Sequence, residues 1–194
     1  MAENNHRHFR LFKPYGYLSQ FTTNARHEVN KQFLGDLHNF PEGTMAIGRL
    51  DRDSEGLLLL TTDGKVSAKI NRSTEKEYYA QVDGIISDKA ILRLKTGVHI
   101  SINGEDYTTK SCTVFKINQI PNFPPRAKKI RDERHGPTSW VSITLTEGKF
   151  RQVRKMTAAV GFPTLRLVRV RVGKITLIGL GMGEVEELDL FHIF

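Results

Sequence analysis

The run Asp51-Arg52-Asp53-Ser54-Glu55-Gly56 places three carboxylates within five residues, and Arg49 and Arg52 stand beside them. Three chemistries compete for such a loop. A calcium loop of the EF-hand type needs a bidentate Glu at its twelfth position, and here that position is Thr62. Arg49 and Arg52 would also repel a cation. A glycosidase-like carboxylate pair, Asp51 with Asp53 or Glu55, needs one protonated acid. Neighbouring guanidinium groups oppose that by favouring the ionised form. A single ionised carboxylate acting as a nucleophile fits the arginines, which keep it charged and attract phosphate. The chemistry-free reading, a solvated turn laced by salt bridges, stays open on these residues alone.

Two further segments carry groups of interest. In Glu147-Gly148-Lys149-Phe150-Arg151-Gln152-Val153-Arg154-Lys155-Met156, a strand leads into a helix. Arg151, Arg154 and Lys155 follow i, i+3, i+4 spacing and so share one helix face, either toward a site or toward solvent. Phe150, Val153 and Val160 form the expected core-facing stripe. Lys76-Glu77-Tyr78-Tyr79 opens a strand, whose adjacent side chains face opposite ways. One tyrosine can enter the core while the other lines a cleft, where its ring could stack on a base.

Along the chain, residue spacing predicts strands at His8–Phe12, Met45–Arg49, Leu57–Thr61, Lys76–Val82, Ser111–Ile117, Ser139–Leu145 and Leu165–Val172. Leu18–Thr22 reads as a further extended piece. The Leu57–Thr61 strand reads as buried on both faces. The last two strands read as alternating, with Val168, Val170 and Val172 opposite Arg169 and Arg171. Helices are predicted over 29–37, over Lys65–Asn71, from an N-cap at Ser87 to Gly97, and over Phe150–Val160. Asn103-Gly104 is a hairpin turn. Ile120–Thr138, with four of the seven prolines, is a long loop, and residues 1–8 form a flexible start. Strands and helices mix without a strict βαβ rhythm, which predicts an α+β fold with a mainly antiparallel, mixed sheet and flanking helices.

Charge narrows the partner. The chain of 194 residues carries 29 Lys and Arg against 21 Asp and Glu, a net charge of +8. Between Arg126 and Lys174 stand thirteen basic and three acidic residues, so the excess is concentrated there. A polyanion such as RNA suits this segment, and so does a solvated basic surface. Arg126, Lys128, Lys129 and Arg131 are its first members. One cysteine, Cys112, excludes an internal disulfide and fits a reducing compartment. The seven histidines show no metal-ligand spacing, and there is no dinucleotide or Walker glycine motif. A soluble, monomeric, cytoplasmic protein without cofactor, metal or membrane span is expected.

Four elements, in order, resemble the RsuA/RluA family of pseudouridine synthases. Lys13-Pro14-Tyr15-Gly16 is similar to its KPxG opening. Gly48-Arg49-Leu50-Asp51 through Gly56-Leu57-Leu58-Leu59-Leu60-Thr61 is similar to its GRLDxxxxGLLLLT signature. Lys76-Glu77-Tyr78 is similar to its KxY element, and Glu147 to Met156 to its EGxxxQVRRM element. Asp51 to Gly56, Pro137-Thr138-Ser139-Trp140 and Met156 to Leu167 resemble the RluE-type branch, whose members modify one uridine of 23S ribosomal RNA. Many relatives carry an N-terminal S4 domain. The KPxG element begins here at residue 13, so none is expected. Phe150-Arg151 and Lys155 depart from the family's usual His and Arg, and Glu184 to Asp189 is an acidic ending where some relatives have Arg.

The resemblance implies one catalytic domain over 9–194, with subdomains of about 9–75 and 76–194 around a cleft. It implies that uridine is isomerised: the C1′–N1 bond breaks, the base rotates, and C5 bonds to C1′. Asp51 would be the nucleophile, at C1′ or C6. Tyr78 would pack on the flipped base, and Arg154 would pair with Asp51. Arg49, Arg52, Lys13, Lys76, Arg151, Lys155 and the basic residues 126–131 would hold the RNA. Two other classes compete. One is a non-enzymatic rRNA-binding or assembly protein, against which the intact Asp51, Tyr78 and Arg154 argue. The other is a hydrolase using Asp51 with Asp53 or Glu55, which would need an acid that the arginines oppose.

Overall fold

The computed structural model describes residues 6–28, 30–131 and 133–189. Residues up to Thr74, with those from Arg169 onward, form one compact unit; Glu75–Val168 form a second. Both are α+β, and the sheet pairings given below are antiparallel.

The first unit is built on β1 (His8–Lys13) and β3 (Glu55–Thr61). Every residue of β3 is buried, and Leu57 to Leu60 are at most 1 % exposed. Such a run is what a strand covered on both faces requires. Burying each leucine contributes about 1.5–3 kcal/mol before entropy is counted. β1 pairs with β3 from His8↔Thr61 to Lys13↔Gly56. That register brings the turn leaving β1 and the loop entering β3 to the same end of the pair. β2 (Met45–Ile47) adds to β3 at Met45↔Thr61, and β11 (Val185–Leu188) adds to β1 at His8↔Leu188. Helix α1 (Gly64–Ser73) is capped by the Asp63 carboxylate, which accepts from the Lys65 and Val66 amides. Of the start expected to be flexible, residues 1–5 lie outside the described residues, Arg7 pairs with Glu187, and His8 opens β1.

The helix expected over 29–37 is not observed; Val29 itself lies outside the described residues. Only single helical turns form, at Arg26–Glu28 and Leu34–Asp36. The backbone groups that a helix would use internally go elsewhere: Leu18 N donates to Gln32 O at 2.9 Å and Leu34 N to Gln20 O at 3.1 Å. Apolar spacing proposed a helix, and hydrogen bonding to the neighbouring segment overrode it.

In the second unit, β4 (Lys76–Asp83) pairs with β8 (Thr138–Leu145) from Lys76↔Leu145 to Asp83↔Thr138. β7 (Thr113–Ile117) lies on the other edge of β8. The alternation expected for β8 fails: Trp140 to Leu145 are all buried, because the strand is paired on both edges and covered on both faces. α2 (Asp88–Thr96) begins at its Ser87 cap, whose hydroxyl accepts from Ala90 N, and ends at Gly97. β5 (His99–Ile102) and β6 (Glu105–Thr108) form the hairpin at Asn103-Gly104. α3 spans Gln152–Ala159.

β9 (Thr164–Val172) does not alternate as expected either. Arg169 is buried, and its Nε donates to Leu57 O of β3 at 2.7 Å. That approach dictates Gly56. Its φ is +105°, and a Cβ there would lie 2.7 Å from Arg169 N and closer still to Arg169 O. Gly56→Ala is therefore expected to destabilise by about 3 kcal/mol or more, through backbone strain and overlap together. A urea-unfolding midpoint that stays unchanged would contradict this. β10 (Ile175–Thr176) pairs with β9 at Ile175↔Val172.

Candidate active site

The loop entering β3 is fixed from two sides. Ser19 Oγ donates to Leu50 O at 2.8 Å and accepts from Leu50 N at 3.0 Å. On the other side, Gly16 N donates to Arg52 O at 2.8 Å, and Arg52 Nε returns a bond to Gly16 O at 3.1 Å. Ser54 N then donates to Asp51 O at 3.0 Å and closes a β-turn over residues 51–54. Asp51 thus stands between two tied neighbours, with its backbone held before any ligand arrives. It is half-buried, as is Asp53, while Ser54 and Glu55 are fully buried. The Lys13-Pro14-Tyr15-Gly16 turn and the Asp51 loop therefore form one assembly, as the Lys13↔Gly56 register requires.

Lys13 is an interior residue. Its side chain is fully buried and its Nζ donates to Pro14 O at 2.9 Å and Tyr17 O at 2.8 Å. Burial pushes its pKa down from 10.5 to about 7, although Glu55, Asp53 and Asp51 pull it back up. Between pH 7 and about 10.5 the unfolded chain binds more protons at this residue than the native one does. Native stability therefore rises with pH across that window. Lys13→Met removes this contribution. The stability difference between wild type and variant should shift in favour of wild type by roughly 2–3 kcal/mol from pH 7 to pH 9 in urea unfolding. Parallel pH profiles would contradict this.

The second unit presents its own set. The β4 side chains alternate as expected: Lys76, Tyr78, Ala80 and Val82 are buried, and Glu77, Tyr79 and Gln81 are half-buried. Tyr78 is 9 % exposed, while the Tyr79 ring lies 6.2 Å from that of Phe123. Lys13 and Lys76 were expected among the RNA-binding residues; both side chains lie inside the protein instead.

The turn into α3 corrects the expected helix. Arg151 has φ +52° and ψ 32°, a left-handed conformation that no helix continues through, so α3 starts at Gln152. Phe150, expected in the core, lies before that reversal and is 60 % exposed. Val153 and Val160 are buried as expected. Arg151 is thus a cap residue and does not share the helical spacing of Arg154 and Lys155. Arg154 is half-buried, with Nη1 3.5 Å from Thr164 O. Lys155 Nζ donates to Ser101 O at 2.7 Å.

Sequence reasoning overlooked the role of Glu147 and Gln152. Glu147 accepts from Tyr107 OH at 2.5 Å, from Lys110 N at 3.0 Å and from Gln152 Nε2 at 2.5 Å. Gln152 Oε1 accepts from Lys149 N at 3.0 Å. This network ties the β5–β6 hairpin to the start of α3 and sets the direction of the helix that carries Arg154. Both residues stood in the quoted motif; the signal was two polar side chains flanking a glycine-containing turn at a helix start.

The basic loop divides into two groups. Arg131 is held by both oxygens of Asp83, and Arg126 donates to Lys128 O at 2.7 Å and Leu165 O at 3.3 Å. Lys128 and Lys129 are exposed, as are Arg49 and Arg52 in the first unit. The acidic ending also gains a role: Glu186 pairs with Arg10 at 2.5 Å and Glu187 with Arg7 at 2.6 Å. Among the described residues no group of three His, Cys, Asp or Glu is placed to hold a metal, and no helix is long and apolar enough to cross a membrane.

Residues 8–159 match the family model described as RNA pseudouridylate synthase, a span that holds both the Asp51 assembly and α3. The chain belongs to that family. It is 40 % identical over 181 residues to ribosomal large subunit pseudouridine synthase E of Vibrio parahaemolyticus, covering 92 % of this chain and 72 % of the relative. The enzyme of the same name from Xanthomonas campestris pv. campestris is 40 % identical over 177 residues, covering 90 % and 91 %. A crystal structure of a pseudouridylate synthase superposes with a TM-score of 0.76 at 25 % identity, covering all of this chain and 74 % of the other. The α+β fold is thus the pseudouridine synthase fold, and this pseudouridine synthase is an RNA-modifying enzyme.

Proposed function

We propose that this pseudouridine synthase isomerises a single uridine of large-subunit (23S) ribosomal RNA in the cytoplasm, with Asp51 as its nucleophile. The observation that carries the reading is the Asp51 loop, tied at Leu50 by Ser19 and at Arg52 by Gly16, in a chain 40 % identical to enzymes named for the large ribosomal subunit. The reaction needs no net redox change and no water. The C1′–N1 bond breaks, C5 bonds to C1′, C5 loses its proton and N1 gains one. A carboxylate held in place before the RNA arrives avoids the entropic cost of orienting it. Asp51 is chosen over Asp53 and Glu55 by the family motif, and the full burial of Glu55 supports that choice. Tyr78 and Arg154, at matching family positions, are the further residues that isomerisation requires. Exposed Arg49, Arg52, Lys128 and Lys129, with Arg151 and Lys155 at the start of α3, supply cationic contacts to phosphate. Such contacts offset the few kcal/mol needed to unstack a base.

The test is to incubate the protein with unmodified 23S rRNA and map pseudouridine by carbodiimide-blocked reverse transcription. One new stop is expected, and it names the uridine. Tight binding with no stop would overturn 23S rRNA as the substrate.

A further inference from the structure

Next to the Asp51 loop, the first unit carries an open cleft of about 510 Å³. Its wall is formed by Gln20, Phe21 and Thr22 on one segment and by Met45, Gly48 and Arg49 on the segment leading into Asp51. The Phe21 ring is held edge-on by Phe40, with centroids 5.5 Å apart. Met45 is 39 % exposed, unusual for a thioether side chain on a strand. Arg49 is exposed, and its guanidinium donates to Gln20 Oε1, which keeps the positive charge at the cleft. The cleft therefore combines an anchored aromatic ring, a polarisable sulfur, a hydroxyl and a fixed cation.

We infer that this cleft is a nucleotide subsite, which seats one unpaired base of the substrate RNA, beside the target uridine, against Phe21 and Met45 with its phosphate on Arg49. The inference rests on the RNA-isomerase reading above and extends it to substrate selection. Size agrees, since ligand clefts run from about 300 to 1,000 Å³. Chemistry agrees, since single-stranded nucleic acid is held by aromatic stacking beside a cation. Spacing agrees as well. Arg49 precedes Asp51 by two residues, at most about 7 Å of backbone, which one sugar–phosphate step can bridge. A cleft reading one neighbouring base would help the enzyme choose one uridine among many.

The test uses the full chain and a synthetic RNA spanning the uridine found by the mapping experiment, with each other position replaced in turn by an abasic ribose. One position adjacent to the uridine is expected to lower kcat/KM about tenfold, the size of one lost stacking contact. Phe21→Ala and Met45→Glu should each lower kcat/KM on the intact RNA by a similar factor, through KM rather than kcat. In both variants the abasic position should cost nothing further. Met45→Glu changes an exposed side chain, so it keeps the test informative if Phe21→Ala fails to fold. Abasic penalties equal in wild type and Met45→Glu, or none at any adjacent position, would overturn the subsite. Failure of the wild type to convert any RNA would instead overturn the underlying assignment, so the two failures are distinct.

Discussion

Asp51→Asn is expected to abolish isomerisation while leaving RNA affinity nearly unchanged. The substitution keeps the shape and removes the charge. The loop is held through the backbone at Leu50 and Arg52 and by the turn from Asp51 O to Ser54 N, none of which needs the carboxylate. The fold should therefore survive. On the proposed reading, phosphate contacts made by exposed cations supply the affinity, and they too are untouched. An amide is a far weaker nucleophile than a carboxylate, so kcat should fall by at least about 10³-fold with little change in binding, as for loss of an interaction made only in the transition state. Single-turnover conversion and filter binding, measured on the same RNA, separate the two. A variant that binds poorly but turns over normally would reverse the account of this loop.

Arg154→Ala is expected to have the second-largest effect, a loss of roughly 10²-fold or more in kcat, of the order seen when one preorganised hydrogen-bond donor is removed from a reacting centre. Its helix is also held by groups other than the guanidinium: Val153, Met156 and Thr157 are buried, and Glu147 and Gln152 fix its start. The drop should therefore be catalytic and not a collapse of the unit. Affinity should fall less than it does when Lys128 and Lys129 are both removed. In the double variant with Asp51→Asn, losing Arg154 should cost almost nothing more, because groups that serve one step are not additive. Near-normal turnover in Arg154→Ala would remove it from the mechanism.

What the sequence revealed, and what it hid, follows from how each feature is encoded. The leucine run of β3 and the caps at Ser87 and Gly97 are local signals, and they appear where expected. So do the Asn103-Gly104 turn and the long loop before β8. Features decided by distant partners were not legible. Nothing in the spacing of 29–37 indicates that Leu18 and Gln20 take up its backbone groups. Nothing in a Val–Arg alternation says that Arg169 turns inward to the Leu57 carbonyl. Lys13 reads as a surface cation in any one-dimensional view, yet two carbonyls and the charges of Glu55, Asp53 and Asp51 make its burial tenable. The position of the Asp51 loop was legible from its motif, but its rigidity was not. That depends on Ser19, thirty-one residues before Leu50 in sequence, for which no pattern called.

The measurement that bears most directly on the central claim is tritium release from large-subunit rRNA labelled with [5-³H]uridine. Forming the C5–C1′ bond expels the C5 hydrogen, so each isomerised uridine releases one tritium. Wild-type protein should release the equivalent of one uridine per RNA molecule and then stop, and Asp51→Asn should release none above background. Release by Asp51→Asn at the wild-type rate would contradict the assignment of Asp51 as the nucleophile.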